Sequence, residues 1–450
     1  MSLIVRFSDR FVAERTYVFH VLLGELLGLS HTVQVQPGLE GYVIELPNAR
    51  QLRIEDHFFG SLPDSTDYIR AESLPTSVDR VPGVPFAPGP DLVVLYGRGT
   101  VVEEHGDLLC AIDVVATVFF MLTRWEEAID GQPVDRHGRV PAAGALAFRH
   151  AFLDRPIVNE YLEAVWSMLV HLGLQEARRA RGFEVVPTHD IDVIHYDRVR
   201  SVGYAAIKAR SAAALTHATR TLLTGGDPFD TFDWLMDLSE SVGVRSRFNL
   251  MGGGTSPVYD RGRYALTDAH LQQIVRNILA RGHILGFHPS YSSHLDFAQW
   301  ELERDAITRT FGITPTEGRQ HYLRFRVPDT WRLWEAGGMT LDSTAGYADA
   351  VGFRCGTGDR FPVFDVRARA ALRLKELPLI LMDGTLATYH QVSADAALAF
   401  VRRYVELARQ YRMPLTILFH NNSFDEVRWP RWRKAYQAIF EQILGKDRLA

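Results

Sequence analysis

From about residue 182 onward, apolar runs of strand length alternate with stretches of helical periodicity, and that alternation restricts the second half of the chain to a parallel α/β architecture. Strands are expected at 183–192, 247–251, 284–287, 317–325, 339–344, 376–382 and 415–419. Helical patterns stand between them at 232–242, 271–279 with Thr267 as cap, 297–311, 329–336 and around 397–405, and Pro430 opens a last helix. About seven strand–helix units in succession predict a parallel barrel rather than an open sheet. An arginine-bearing helical insertion at 198–223 reads as a surface helix rather than a lid.

The first half is looser. Helices are expected at 17–29, 111–128 and 157–172 and strands at 41–46 and 91–96, with an irregular proline-rich connection at 74–90. The polar segment 130–144, which holds Asp135, His137 and Arg139, reads as a solvated loop. At 450 residues there is room for two domains. The arginine-rich run 178–182 is the natural boundary, so the expected organisation is an α+β domain at 1–181 and a (β/α)7 barrel at 182–450.

The net charge of −5 recommends no nucleic-acid partner. Two cysteines, Cys110 and Cys355, make neither a disulfide framework nor a thiolate metal site, and they fit a reducing compartment. The longest apolar stretch, 112–122, is too short to span a bilayer, and the first residues lack a basic leader with an apolar core. The expectation is a soluble, cytoplasmic protein with no integral membrane segment; its oligomeric state is open.

The first strand of the second half ends in Thr188-His189-Asp190-Ile191-Asp192. Side chains in a strand repeat every two residues, so both aspartates reach one site. Paired acids at a strand end suit a divalent cation, or a base beside one. His288 ends the third run, Arg319 and His321 lie in the fourth, Asp342 is at the end of the fifth and His420 at the end of the last. In parallel barrels the carboxyl ends of the strands converge on one mouth, so these residues are expected to share a pocket. Gly252-Gly253-Gly254 is followed by no Lys-Ser or Lys-Thr pair and is not read as a phosphate cradle.

On these residues the second half resembles the polysaccharide deacetylases, also called NodB-like or carbohydrate esterase family 4 enzymes, whose barrel is a distorted (β/α)7 one. Thr188-His189-Asp190-Ile191-Asp192 matches their first motif, which implies Asp190 as general base and Asp192 as metal ligand. His288 in Gly286-Phe287-His288-Pro289-Ser290-Tyr291 matches the histidine of their second motif, a metal ligand. Arg319 matches the arginine that steadies the base, and His420 in Leu418-Phe419-His420 the general acid. The family's second metal histidine has no counterpart, because Ser292 stands in its place; the third ligand is open between His294 and its rival His321. Asp342-Ser343-Thr344 corresponds to the fourth motif, and Tyr291, Tyr322 and Asp342 are the expected substrate contacts. The first half resembles an uncharacterised domain found ahead of such barrels.

The resemblance implies a metal-dependent hydrolase that removes N-acetyl groups from an amino sugar or glycan precursor. The cofactor would be a divalent metal, zinc before nickel, cobalt or manganese, and the partner a carbohydrate or another small amide. Three alternatives stay open: a glycosyltransferase-type Asp-x-Asp metal site, a non-catalytic carbohydrate-binding protein on a degenerate barrel, and hydrolysis of a non-sugar amide or imide.

Overall fold

The structure, a computed structural model, describes residues 2–63, 67–196, 227–260, 264–426 and 428–444. The insertion expected at 198–223 lies outside the described residues.

The first half forms β1 (Leu3–Phe7), β2 (His31–Val35), β3 (Tyr42–Glu45), β4 (Gln51–Ile54), β5 (Asp79–Pro82), β6 (Asp91–Val94), β7 (Gly97–Glu104) and β8 (Asp107–Ile112). Six of them make a mixed sheet in the order β2-β1-β3-β4-β8-β7, while β6, within the strand expected at 91–96, forms a separate antiparallel pair with β5, which lies inside the stretch expected to be irregular. In β1 the alternation is clean, with Leu3, Val5 and Phe7 buried and Ile4 and Arg6 half-buried. The helix Val114–Thr123, apolar but for Thr117 and Thr123, buries all ten residues, and the two hydroxyls donate back to Asp113 O and Phe119 O. Its cap is Asp113, whose carboxylate accepts from Ala116 N at 2.8 Å and from His57 N at 2.8 Å. The helix Ile157–His171 turns Ile157, Val158, Tyr161, Leu162, Val165, Met168 and Leu169 inward.

The second half contributes β9 (Glu184–Ile191), β10 (Arg247–Leu250), β11 (Ile284–Phe287), β12 (Glu317–Gly318), β13 (Leu341–Asp342), β14 (Phe361–Asp365), β15 (Ala370–Glu376), β16 (Leu381–Met382) and β17 (Pro414–Leu418). They form one sheet in the order β14-β15-β13-β12-β11-β10-β9-β17-β16, parallel throughout except where β14 folds back on β15. Helices Phe232–Ser241, Ala269–Ala280, Phe297–Phe311, Asp329–Ala336 and Ala394–Gln410 fall where the periodicity predicts them. The cap of Ala269–Ala280 is Asp268, not Thr267, because the Asp268 carboxylate accepts from His270 N and Leu271 N.

The expected closed barrel is not what the strand pairing makes. No ladder among the described residues joins β14 to β16. The run expected as one strand at 376–382 divides: Glu376 pairs with Asp342 of β13, and five residues later Leu381 pairs with Ile417 of β17. The chain thus crosses the seam that a ladder would have closed. The sheet is nevertheless strongly curled, since Val186 of β9 packs with Leu341 of β13 and Leu377 across its concave side.

One large hydrophobic cluster runs through both halves. Tyr17 Oη donates to Pro362 O at 2.8 Å, Asn159 Nδ2 to Asp359 Oδ2 at 2.7 Å, and Val158 N to Gly356 O at 2.9 Å. Beneath them Arg354 and Arg124 are buried against Glu127, whose carboxyl is lowered to about 2 because the two guanidiniums outweigh the burial that opposes its charge.

Candidate active site

β9 supplies the floor. Thr188 and Asp190 share one face of it, and His189 lies on the other, fully buried, with Nδ1 2.7 Å from Phe419 O and its ring 4.9 Å from that of Phe248. Asn249 is the register partner of Asp190 on β10, so its Nδ2 donates to Asp190 Oδ1 at 2.7 Å. Arg319, just past the end of β12, donates to the same oxygen at 3.2 Å, to Thr188 Oγ1 at 2.9 Å, and to Ser343 O and Oγ, both at 2.8 Å. Burial works against a charge on Asp190, yet His288, Arg319 and His420 together hold its carboxyl below the ordinary range. It is a buried, ionised base with one oxygen immobilised.

A donor set for a cation stands beside it. His288 follows β11, and its Nδ1 lies 2.6 Å from the carbonyl of Arg319. A carbonyl only accepts, so Nδ1 carries the proton and the lone pair of Nε2 faces inward. Nε2 is 3.4 Å from Asp192 Oδ1, 3.0 Å from His321 Nδ1 and 3.8 Å from Asp190 Oδ2. His321 Nδ1 is 3.5 Å from Asp192 Oδ1, while its Nε2 is turned to Tyr259 O at 3.5 Å. The three inward atoms therefore form a triangle of edges 3.0, 3.4 and 3.5 Å. A tetrahedral ion with bonds of about 2.0 Å to nitrogen and oxygen has ligand–ligand edges of about 3.3 Å. One carboxylate and two imidazoles at that spacing fit a divalent metal with open coordination positions.

Among the described residues the group of ligand atoms within 4.8 Å of one another is Asp192, His288 and His321, and His294 is not in it. His294 sits on the short turn Ser293–Leu295 with Nδ1 buried and without a hydrogen-bond partner, lowered to about 4 by burial and by the nearby Arg324 and Arg326. His321, rather than His294, lies within ligand reach of Asp192 and His288, because the chain leaves the sheet after Gly318 instead of extending to residue 325 as expected, and the turn carries His321 back over His288.

On the far side of Asp190 stands His420, immediately beyond β17 and Phe419. Its Nδ1 is 2.9 Å from Asp383 Oδ1, and its backbone N donates to Asp383 Oδ2 at 2.7 Å. Burial disfavours the imidazolium, but Asp383, then Asp192 and Asp190, raise its pKa to about 10. Asp383 directly follows β16 and was missed in the sequence. A polar residue at a strand's carboxyl end is the same signal that marks His288, and it could have been found that way. Asn249, a polar side chain inside an apolar run, is the other omission.

Two sequence expectations are corrected. Asp342 is wholly buried, its Oδ1 accepting from Thr344 N at 3.0 Å, and burial raises it to about 7 beside the equally buried Glu376 of β15. It supports the loop behind Arg319 and is closed off from solvent. Conversely, the segment read as solvated packs on the site: His137 and Arg139 are 4% and 8% exposed. The His137 ring lies 4.9 Å from that of Tyr322 and its Nδ1 3.2 Å from Tyr291 Oη. Tyr259 and Tyr291 stack at 4.0 Å, and Tyr322, 37% exposed, forms the rim. Of the three glycines after β10, Gly252 and Gly254 serve packing, since a Cβ would sit 1.9 Å from Glu303 O at the first and 2.6 Å from Asp260 Cβ at the second.

A curled, mostly parallel α/β sheet carrying a candidate Asp-His-His cation site, a buried carboxylate and an Asp–His pair at the carboxyl ends of its strands is the class of structure these observations define. Residues 3–173 match the family model described as a family of unknown function, DUF7033, which is less than half of the chain. No curated protein matches the chain. Among solved structures, a protein from Mycobacterium smegmatis described as a candidate polysaccharide deacetylase is similar over 60% of this chain and 86% of its own, at 16% identity and a TM-score of 0.39. A family 4 carbohydrate esterase from Streptomyces lividans, in complex with acetate, is similar over 58% and 91%, at 13% identity and a TM-score of 0.28. The peptidoglycan N-acetylglucosamine deacetylase Bc1960 is similar over 60% and 89%, at 13% and 0.29. These TM-scores are low, so the functional reading rests on the geometry of the site. Among the described residues no helix is long and apolar enough to cross a membrane.

Proposed function

We propose that this chain is a divalent-metal-dependent hydrolase of an amide bond, removing N-acetyl groups from an amino sugar or glycan precursor. The observation that carries the reading is the 3.0–3.5 Å triangle of Asp192, His288 and His321 beside the buried carboxylate of Asp190. A cation bound there supplies Lewis-acid polarisation of a carbonyl and a lowered pKa for water. Asp190, charged and held by Arg319 and Asn249, takes the proton of the attacking water on its Oδ2, since Oδ1 is occupied by both donors. His420, kept protonated by Asp383, gives a proton to the departing nitrogen, without which an amine leaves poorly. Tyr322 and Tyr291 line the rim on which a sugar ring would rest.

Ser292 in place of the second-motif histidine favours a decayed site, and the nearness of His321 to Asp192 and His288 supports the complete one instead. A glycosyltransferase site would leave His288 and His420 without work. The proposed organisation keeps the division near residue 181, with the first unit docked over a continuous core. The proposed setting is the cytoplasm, in keeping with two buried, unpaired cysteines.

The test is acetate release from a panel of N-acetylated amino sugars and nucleotide sugars, with cyclic imides alongside, by chelator-treated protein reloaded with zinc, cobalt, nickel or manganese. Metal-dependent acetate release is expected. Stoichiometric metal binding with no release from any substrate, or thermal protection by nucleotide sugars with transfer activity, would overturn it.

A further inference from the structure

The turn that carries His321 is one the backbone would not choose. Tyr322 and Leu323 are consecutive non-glycine residues at φ 61° and 52°, in the left-handed region that costs each of them about 1 kcal/mol or more. Such a conformation persists only where the surroundings over-determine it. From behind, Gln320 Nε2 donates to Ser290 O at 2.9 Å and Gln320 N to Thr344 Oγ1 at 3.0 Å. From the front the holding groups come from the other half of the chain.

Arg139 Nη1 donates to Tyr322 O at 2.6 Å, the carbonyl within the strained pair. Arg324 Nε, one residue past that pair, donates to His137 O at 2.8 Å, and the His137 ring packs against Tyr322. The turn 135–139 is itself rigid. Asp135 Oδ1 accepts from His137 N at 2.8 Å and Arg139 N at 3.0 Å, and Asp135 Oδ2 accepts from Arg139 Nε at 2.9 Å and Nη2 at 2.6 Å. Gly138 closes it at φ 74°. Arg139 is thus buried, its guanidinium held by two bonds to Asp135 Oδ2 and its Nη1 aimed at a carbonyl next to a proposed metal ligand.

We propose that the Asp135–Arg139 turn of the first half is a positioning device for His321, so that the cation site is completed only by both halves of the chain. Arg139 touches neither cation nor substrate; it fixes the ring that does. The inference rests on the reading of Asp192, His288 and His321 as metal ligands, and it gives the first unit a function at the site.

The experiment titrates Co²⁺ into chelator-treated full-length protein, following heat and the visible absorption bands that report ligand number and geometry. The variants are Arg139→Ala, Arg139→Lys, His321→Ala and the Arg139→Ala/His321→Ala pair, with Arg178→Ala as a control that removes an ion pair to Glu163 in the same half. Arg139→Ala is expected to weaken Co²⁺ about 10–100-fold, the usual effect of losing a group that orients a ligand, and to move the bands toward those of His321→Ala. In the pair, Arg139→Ala should add nothing, because the ring it positions is gone. Arg139→Lys should recover part of the affinity, and it carries the test if the alanine variant does not fold. Wild-type affinity and spectrum in both Arg139 variants, an Arg139→Ala loss that persists undiminished without His321, or an equal loss in Arg178→Ala would overturn the proposal. If His321→Ala binds Co²⁺ like the wild type, or the wild type binds none, the metal reading falls first and takes this inference with it.

Discussion

His288 Nε2 and His321 Nδ1 point at each other across 3.0 Å, each with its second nitrogen turned to a backbone carbonyl. Two lone pairs facing at that distance, with Asp192 Oδ1 3.4 and 3.5 Å away, need a positive charge between them. A proton can serve in the free protein and a metal ion in the loaded one. This geometry fixes the expected ligand set: His321→Ala should lower Zn²⁺ affinity by two orders of magnitude or more, whereas His294→Ala should leave it within about twofold. Calorimetric titration of both variants decides, and equal losses would return His294 to the site.

Removing the base without removing the ligands separates chemistry from binding. Asp190→Asn keeps the shape and the hydrogen bond capacity toward Arg319 but cannot take a proton, so kcat should fall about 10²–10⁴-fold with metal content unchanged. His288→Ala should lose both. Metal analysis beside acetate release distinguishes the two, and equal metal content in them would refute the roles assigned.

In the proposed reaction the Asp383–His420 pair sets the alkaline limit. An acid must be protonated to act, so activity is lost as pH rises through the pKa of His420, which Asp383 and the neighbouring aspartates raise to about 10. Asp383→Asn removes the strongest of the raising charges and should draw the alkaline limb of kcat/KM downward toward the ordinary histidine range near 6.5. An unmoved limb would mean that another group donates the proton.

Acid should loosen the contact between the two halves through Glu127. Its carboxyl falls from 4.5 to about 2 in the folded chain, so its stabilisation is fully present above pH 4.5 and is lost as pH drops through about 2. Glu126, which burial pushes upward, works in the opposite direction, so the comparison must be with a variant and not with the bare profile. Glu127→Gln leaves Arg354 and Arg124 short of their counter-charge and should cost about 3–5 kcal/mol at neutral pH. Denaturant unfolding at pH 7 and pH 3 should show the difference between the two proteins shrinking at the lower pH.

Much of the fold was legible. The helices Phe297–Phe311 and Asp329–Ala336 and the strand Ile284–Phe287 stand where the residue pattern puts them, because each has a buried face with one period and a clear stop. The run at 376–382 was not, since its apolar residues read alike whether they pair with one neighbour or change neighbours midway. The hairpin of β14 and β15 was missed: Phe361–Asp365 is buried throughout and has no alternation to reveal it, and Ala370–Glu376 meets the expected run only at its last residue. The polar segment around His137 was misjudged for a related reason: charged and aromatic residues between helices look solvated until something from elsewhere in the chain covers them.

By itself the sequence determined which side chains could do chemistry: local periodicity sets where a strand ends, and strand ends of a parallel sheet face one mouth whatever the loops do. It also set the face that Asp190 shares with Thr188, through the two-residue repeat of an extended chain. Only the tertiary structure decided that His321 and not His294 stands opposite Asp192, that Asp383 backs His420, and that a turn from the first half leans on the second. Those choices depend on where the backbone turns after leaving the sheet, which contacts between residues more than a hundred positions apart enforce and no local pattern encodes.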